Sequence, residues 1–329
     1  MGYSVSILNN IRNNASEEYQ SRIPEATQEN IIAVGNALQT YNLLYTEFFP
    51  SLFGKIGKTI IEQKLFKNPL SRFKSGAIHN AQDVEEIFIE MAKAEGKYDN
   101  KGLNPLGRRT GPNVKNIFHR QNRQDYYAIT VGDLDVVQVF RSEATLDTFI
   151  TGLINSVYSG AEYDEYLAMK NLLASYKGYF DYGVSAITDG ETAKDFVKTV
   201  RKASTDLTFA SKSYNKAGVL TWTKTADQVL FVNKDVLAEV DVEVLAKAFN
   251  MGKTDIQVEI IPMDDFGSLT DTYALLVDKS WFRIWDTLSK MEPQRNAQGL
   301  FTNYFYHVHQ ILSASTFKNA VRFTTATVA

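Results

Sequence analysis

The sequence predicts an α+β protein, because helical and strand-like hydrophobic patterns alternate along its 329 residues without internal repeats or coiled-coil heptads. Its composition supports a large packed core, since 44% of the residues are hydrophobic and 20 phenylalanines and 17 tyrosines supply bulky apolar groups. The formal net charge of −3 excludes a domain that is held on nucleic acid or on an anionic membrane by bulk charge. The absence of cysteine excludes disulfides, zinc–thiolate sites and thiol nucleophiles.

The first 54 residues are predicted to be helical. Val5, Leu8 and Ile11 recur every third residue, which predicts a helix over residues 4–12. A longer stripe over residues 27–49 repeats with a helical period, and Pro50 ends it. No apolar run approaches the about 20 residues of a membrane span, and the first residues lack the basic and apolar regions of a signal peptide.

Residues 55–131 carry a segregated charge pattern. Residues 55–74 are basic, residues 83–99 are acidic, and a loop rich in glycine and proline over residues 102–112 precedes a basic, aromatic segment. The acidic segment fits two structures equally well. Its apolar residues suit a helix, but Glu85, Ile87, Ile89 and Met91 also suit one face of a strand.

Residues 145–177 are the clearest helical segment. Thr145 is a suitable N-cap, an apolar stripe runs to Val157 and resumes after Gly160, and Gly178 is a suitable stop. A continuous helix of this length would be a rod of about 45 Å.

The remaining chain alternates between both kinds of element. Helices are expected over residues 190–205 and, capped by Asp235, over residues 235–249; strands are expected over residues 229–232, 256–261, 273–277, 281–285 and within 300–323. In the stretch 281–285 we expect Trp281 and Trp285 to share one face, with Phe282 on the other and at least one face in a core.

No set of residues assembles a catalytic, cofactor or metal site. Residues 54–59 resemble a phosphate loop, but only two residues separate the glycines where four are needed. His307 and His309 would share one face of a strand and could begin a metal site, although a structural role is favoured. Asp264 and Asp265 could bind a divalent cation, although a turn is the favoured interpretation. We therefore expect no enzyme, no cofactor and no metal.

Segments spread in order along the chain closely resemble the major head proteins of phi-29-like short-tailed bacteriophages. In the C-terminal third they are residues 241–251, Leu276 to Lys279 with Trp281 and Phe282, Lys290 to Glu292 with Arg295 and Asn296, Gly299 and Leu300, Asn303 and Tyr304 with Tyr306 to Val308, and Phe317 with Asn319 to Val321. Earlier segments are Asn68 to Leu70, Pro112 to Lys115, His119 with Asn122 to Gln124, and Ala161 and Glu162 with Asp164 to Tyr166.

This resemblance implies the HK-97-type phage capsid fold. On that fold residues 1–54 would be an N-terminal arm, 55–131 an extended E-loop hairpin region, and 132–200 a peripheral domain whose spine helix spans 145–177. Residues 201–290 would form the axial domain, and residues 291–329 would return to the peripheral domain.

The resemblance also implies partners and a location. Copies would be made in the host cytoplasm and would form pentamers and hexamers, and then a closed shell. Assembly would involve a scaffolding protein and a portal. The shell would enclose double-stranded DNA without binding a particular sequence, and no membrane would be involved. The candidate intersubunit contacts are basic residues within the charge-segregated region: Lys64, Lys67, Arg72, Lys74, Arg108 and Arg109. Two alternatives remain open: an encapsulin-like compartment of the same fold, and an unrelated α+β enzyme.

Overall fold

The computed structural model describes residues 3–40, 66–79, 82–92, 111–132, 152, 155–240 and 258–325. The chain divides into two units. The first unit contains residues 1–72, 122–167 and 286–310, and the second contains residues 73–121, 168–285 and 311–329.

The N-terminal helices of the first unit are α1 (Tyr3–Asn13), α2 (Glu17–Arg22) and α3 (Ile31–Thr40). The periodicity predicted from the sequence is confirmed, because Val5, Leu8 and Ile11 of α1 are all buried. Asn9 joins α1 to the segment before α3, since its side chain accepts a hydrogen bond from the backbone of Ala26 and donates one back to it. Residues 41–50 of the second predicted stripe lie outside the described residues.

Long antiparallel strands follow. A four-stranded sheet has the order β1-β9-β10-β4, formed by β1 (Gly76–Ala77), β9 (Phe282–Asn296), β10 (Phe301–Ala314) and β4 (Arg123–Gly132). Strands β10 and β4 pair from Phe301 opposite Gly132 to Gln310 opposite Arg123.

The second unit contains a five-stranded sheet with the order β5-β11-β8-β6-β7. Its strands are β5 (Phe180–Gly183), β6 (Gln228–Asn233), β7 (Glu259–Met263), β8 (Thr272–Asp278) and β11 (Ala320–Thr324). Helix α5 (Gly190–Asp206) begins at a capping box between Asp189 and Thr192. It packs Phe196 and Val200 onto Leu230, Leu276 and Phe323 of this sheet, which forms the core of the unit.

Strands β2 (Asp83–Ile89) and β3 (Val114–Arg120) form a separate two-stranded antiparallel ribbon in the second unit, with Asp83 opposite Arg120 and Ile89 opposite Val114. The sequence did not decide whether residues 83–99 form a helix or a strand. In the part that the structure describes, residues 83–92, the regular element is the strand β2. Glu85 and Ile87 share one face of it, as the strand alternative required.

Three other expectations need correction. The helix expected over residues 145–177 is described as a π-helical turn, Asn155–Ser159, followed by α4 (Gly160–Ser175), and residues 145–151, 153 and 154 lie outside the described residues. The helix expected over residues 235–249 was to be capped by Asp235, but the N-cap of α6 (Lys234–Glu239) is Asn233, which accepts a hydrogen bond from the backbone N–H of Asp235; residues 241–249 lie outside the described residues. Trp281 precedes β9, so it does not share a strand face with Trp285: Phe282 and Ile284 point into the core, and Arg283 lies on the opposite face with Trp285.

Candidate functional site

One face of the ribbon is exposed and carries large apolar side chains. Ile87, Ile89, Met91, Val114 and Phe118 are each 50–62% exposed. Asp83, Glu85, Asn116 and Arg120 alternate into the same face, which we name the outer face of the ribbon. A contiguous exposed apolar surface with polar neighbours is typical of protein–protein contact sites.

The opposite face of the ribbon is held against its own unit. The ring of Phe88 lies 5.5 Å from that of Phe317, and the ammonium group of Lys115 donates a hydrogen bond to the carbonyl oxygen of Ala217 at 2.9 Å. Because an isolated two-stranded ribbon is only marginally stable in water, these contacts are needed to fix its conformation. They leave the outer face free to contact a partner.

The carboxylate of Glu86 is the centre of this attachment. Arg283 donates two hydrogen bonds to its Oε1, at 3.1 Å from Nε and 2.5 Å from Nη2, and Ser315 donates a third at 3.0 Å. Its Oε2 lies 3.0 Å from Nε2 of His119, whose Nδ1 is 2.6 Å from the hydroxyl of Ser313. The side chain of His119 is fully buried, so the cluster joins both ribbon strands to β9, to β10 and to the segment that follows β10.

The same contacts set the ionisation of Glu86. Burial alone would raise its pKa, but hydrogen bonds from His119 and Arg283, together with the charge of Arg283, lower the pKa to about 2. Glu86 is therefore ionised at any pH at which the protein is normally handled.

A second buried polar network lies in the first unit. Gln310 donates from its amide to Glu165 and, at 2.6 Å, to Asp286, and its carbonyl oxygen accepts a hydrogen bond from Arg123 at 2.6 Å. Asn68 donates to the other oxygen of Glu165 at 2.8 Å. Satisfied buried networks of this kind specify one arrangement of the elements that they join.

Several residues of the two networks were singled out in the sequence only because they belong to the segments that resemble the phage head proteins. Asn68, His119, Arg123 and Glu165 lie in three of the resembling segments, which are far apart in sequence. No local pattern marked them as parts of a site, and the shared resemblance was the one available signal.

The candidate basic contact residues are partly described. Lys67 and Arg72 are exposed and Lys74 is half-buried, whereas Lys64, Arg108 and Arg109 lie outside the described residues. Arg72 lies in a short 3₁₀ turn, Ser71–Phe73.

The carboxylates of Asp264 and Asp265 bind the side chain of a lysine of the same chain. They accept hydrogen bonds from the ammonium group of Lys170 at 2.8 and 2.7 Å. Burial would lower the pKa of Lys170, but its hydrogen bonds to both carboxylates outweigh burial and raise it. Asp265 also accepts from the backbone N–H of Gly267, which confirms the turn that the sequence favoured.

No group of histidine and carboxylate side chains suited to a metal ion exists among the residues that the structure describes. His307 and His309 do alternate onto one face of β10, and the ring of His307 lies 6.1 Å from that of Tyr126. Residues 54–59, the phosphate-loop resemblance, lie outside the described residues. Within the described ranges, no helix is long and apolar enough to cross a membrane.

Comparison with known sequences finds similarity along almost the whole chain. Residues 8–324 match the model of the Phi29-like phage major capsid protein family. The major capsid protein of Bacillus phage B103 is 39% identical over 98% of this chain and 73% of the relative, and that of Streptococcus phage Cp-1 is 29% identical over 96% and 93%.

Comparison with solved structures finds the same fold in distant phages. A chain of the capsid of Staphylococcus phage Andhra matches with a TM-score of 0.65 at 14% identity, over 82% of this chain and 86% of that one. A capsid chain of cyanophage P-SCSP1u matches with a TM-score of 0.55 at 9% identity, over 81% and 91%. At such low identity these likenesses establish the fold alone.

Proposed function

The chain belongs to the Phi29-like phage major capsid protein family, and from this membership we propose how its described surfaces build a shell. It is a structural subunit of a phage head with an HK-97-type α+β fold, and copies of it associate to form the capsid. The resemblance drawn from its sequence segments is thereby confirmed, and the encapsulin-like alternative is not favoured.

The proposed contact is the outer face of the ribbon, and we propose that this ribbon is part of the E-loop expected within residues 55–131. One copy would lay this face on a neighbouring copy, as pentamers and hexamers form. The observation that carries the proposal is the exposure of five large apolar side chains on a ribbon whose other face is fixed by the Glu86 cluster. Burial of apolar surface gives about 25 cal/mol per Å², so covering this face favours association.

The proposal includes further partners, in keeping with the family membership. We propose that a scaffolding protein sets the size of the shell, that a portal occupies one vertex, and that the shell encloses double-stranded DNA without reading its sequence. The small net charge of −3 suits an inner wall that does not retain the genome during packaging. The same proposal includes synthesis in the host cytoplasm and a purely structural role without catalysis. It also includes the expected boundaries of the arm, the E-loop, the peripheral domain and the axial domain.

Removing the apolar character of the outer face should abolish assembly but not folding. We expect a Phe118→Ser, Ile87→Ser double variant to give soluble subunits, because both side chains are exposed in the isolated chain and contribute little to its stability. Shells should fall at least tenfold in sedimentation and in negative-stain micrographs. The control is Glu85→Gln on the same face, which keeps every apolar side chain and should lose no more than about threefold in shell yield. Normal shells from the serine variant would remove the outer face from the interface.

The candidate basic residues give a second test. Reversing Lys64, Lys67, Arg72 and Lys74 to glutamate should weaken intersubunit contacts, and raised salt should reproduce part of the loss in the unmodified protein. Arg108→Ala and Arg109→Ala should give soluble subunits with normal circular dichroism but defective or fragile shells. Shell yields that depend on neither substitution nor salt would remove these residues from the contact.

A further inference from the structure

We propose, building on the function proposed above, that the outer face of the ribbon docks on one particular surface of the neighbouring copy, the loop of residues 207–224. This loop connects helix α5 to the 3₁₀ turn before β6. We name it the aromatic–lysine loop. The interface would be heterologous: the ribbon of one copy meets the loop of the next.

The loop displays two large aromatic side chains to solvent. Phe209 is 67% exposed and Trp222 is 46% exposed. They occupy the two strands of one short stem, because Ser211 pairs with Thr221 and the backbone N–H of Thr223 donates to the carbonyl oxygen of Leu207 at 2.7 Å. Exposed tryptophan and phenylalanine on a soluble subunit are the kind of anchors that protein interfaces bury.

The stem is held rigid by hydrogen bonds within the loop and to the body of the unit. The buried side chain of Asn215 accepts from the backbone N–H of Val219 at 2.8 Å and donates to its carbonyl oxygen at 2.7 Å. Gly218, with φ at +60°, closes this turn in a conformation that favours glycine. The backbone N–H of Ala217 donates to Thr316 at 3.0 Å. A receptor ordered before association loses little entropy on binding, which raises its affinity.

The charges of the two surfaces are opposite. The loop contains Lys212, Lys216 and Lys224 and no acidic residue. Because Lys212 already lies close to the carboxylate of Glu90 in its own ribbon, Lys216 and Lys224 carry the charge offered to a partner. The outer face of the ribbon carries the carboxylates of Asp83 and Glu85 against the single guanidinium of Arg120, a net charge of −1. Apolar side chains accompanied by complementary charges favour one partner and orient it.

The ribbon of the same copy cannot fill this role. The loop already contacts the attached face of its own ribbon, through Lys115 on the carbonyl oxygen of Ala217 and through Lys212, whose ammonium lies 3.9 Å from the carboxylate of Glu90. The outer face points away from that contact, because side chains alternate across a strand. The loop that contacts the outer face must therefore belong to a second copy. Repetition of one heterologous contact around an axis closes a ring, which is how capsomers are built.

A charge-swap experiment tests this pairing. Lys216→Glu with Lys224→Glu should lower shell yield about tenfold, and Asp83→Lys with Glu85→Lys should do the same, because each places like charges across the contact. Combining all four substitutions should restore the yield to within about threefold of the unmodified protein. Yield is measured by sedimentation and negative-stain microscopy of purified subunits, with and without the scaffolding protein, after circular dichroism has verified folding.

The matched control reverses two lysines elsewhere in the same unit. Lys194→Glu with Lys198→Glu on α5 changes the net charge equally and should leave the yield unchanged. Failure of the four-substitution variant to exceed the poorer of its two parents would overturn the proposal, as would an equal loss in the control. If a reversal impairs folding, the neutral pair Lys216→Gln with Lys224→Gln replaces it, with an expected loss of about threefold.

The aromatic residues separate this proposal from the function on which it rests. Phe209→Ser and Trp222→Ser should give soluble subunits with few shells, the same result that is expected of Phe118→Ser with Ile87→Ser. If the ribbon variant fails to assemble while both loop variants assemble normally, the ribbon docks elsewhere and only this inference fails. If the ribbon variant itself assembles normally, the proposed contact of the ribbon fails as well.

Discussion

Replacing Trp281 with alanine is expected to give insoluble protein. Trp281 is fully buried, and its ring lies 5.0 Å from Tyr176, 4.9 Å from Phe282 and 6.2 Å from Tyr179. Truncating a buried tryptophan costs about 3–5 kcal/mol, because the lost contacts leave a cavity. That is a large fraction of the about 5–15 kcal/mol that stabilises a domain. The soluble fraction after expression, followed by urea denaturation of any soluble protein, measures the effect.

Trp285 provides the matched control. It is half-buried on the opposite side of the chain, where its ring lies 5.8 Å from that of His119. Trp285→Ala should therefore remain soluble, with a loss of about 1–2 kcal/mol in the free energy of unfolding. The sequence alone treated the two tryptophans as equivalent, and their burial now separates them. Soluble Trp281→Ala subunits that merely fail to assemble would place Trp281 in an intersubunit surface and contradict its assignment to the core.

Elements with one strong period were predictable from the sequence. Helix α5 and strands β6 and β8 begin and end within one or two residues of the predicted positions. Their apolar residues follow a spacing that only one type of regular structure can bury. Strand β2 could not be assigned in the same way. Both of its faces carry apolar residues, since one packs on its own unit and the other is exposed, so its pattern satisfies two periods at once.

The networks could not be read from local sequence. Glu86 meets Arg283 and Ser315, residues 197 and 229 positions away, and no spacing rule connects such partners. Gly178 illustrates the same limit. It was expected to stop a helix, yet α4 ends at Ser175, and a Cβ atom at Gly178 would lie 2.8 Å from Cβ of Lys216. The glycine is required because another segment approaches it closely, which only the folded chain reveals.

Replacing Glu86 with glutamine is expected to remove part of the acid sensitivity of the folded subunit. The pKa of Glu86 is about 2 in the folded chain, against 4.5 for the free side chain. A lowered folded pKa contributes stability that is fully present above pH 4.5 and is lost as the pH falls from 4.5 toward 2. Because part of the carboxylate reaches solvent, we expect this contribution to be about 2 kcal/mol. Urea denaturation of unassembled subunits between pH 2 and pH 7 measures it.

The comparison between two adjacent carboxylates makes this prediction specific. Glu86→Gln should be less stable than the unmodified chain at pH 7, by about 3 kcal/mol, because Arg283 loses its ionised partner in a half-buried site. That deficit should shrink as the pH falls below 4.5, since the unmodified chain then loses the same charge. Glu85→Gln, one residue away on the outer face, should follow the unmodified chain at every pH. A Glu86→Gln deficit that stays constant from pH 7 to pH 2 would mean that the carboxylate acts through its shape and not through its charge, so the ribbon would not be anchored electrostatically.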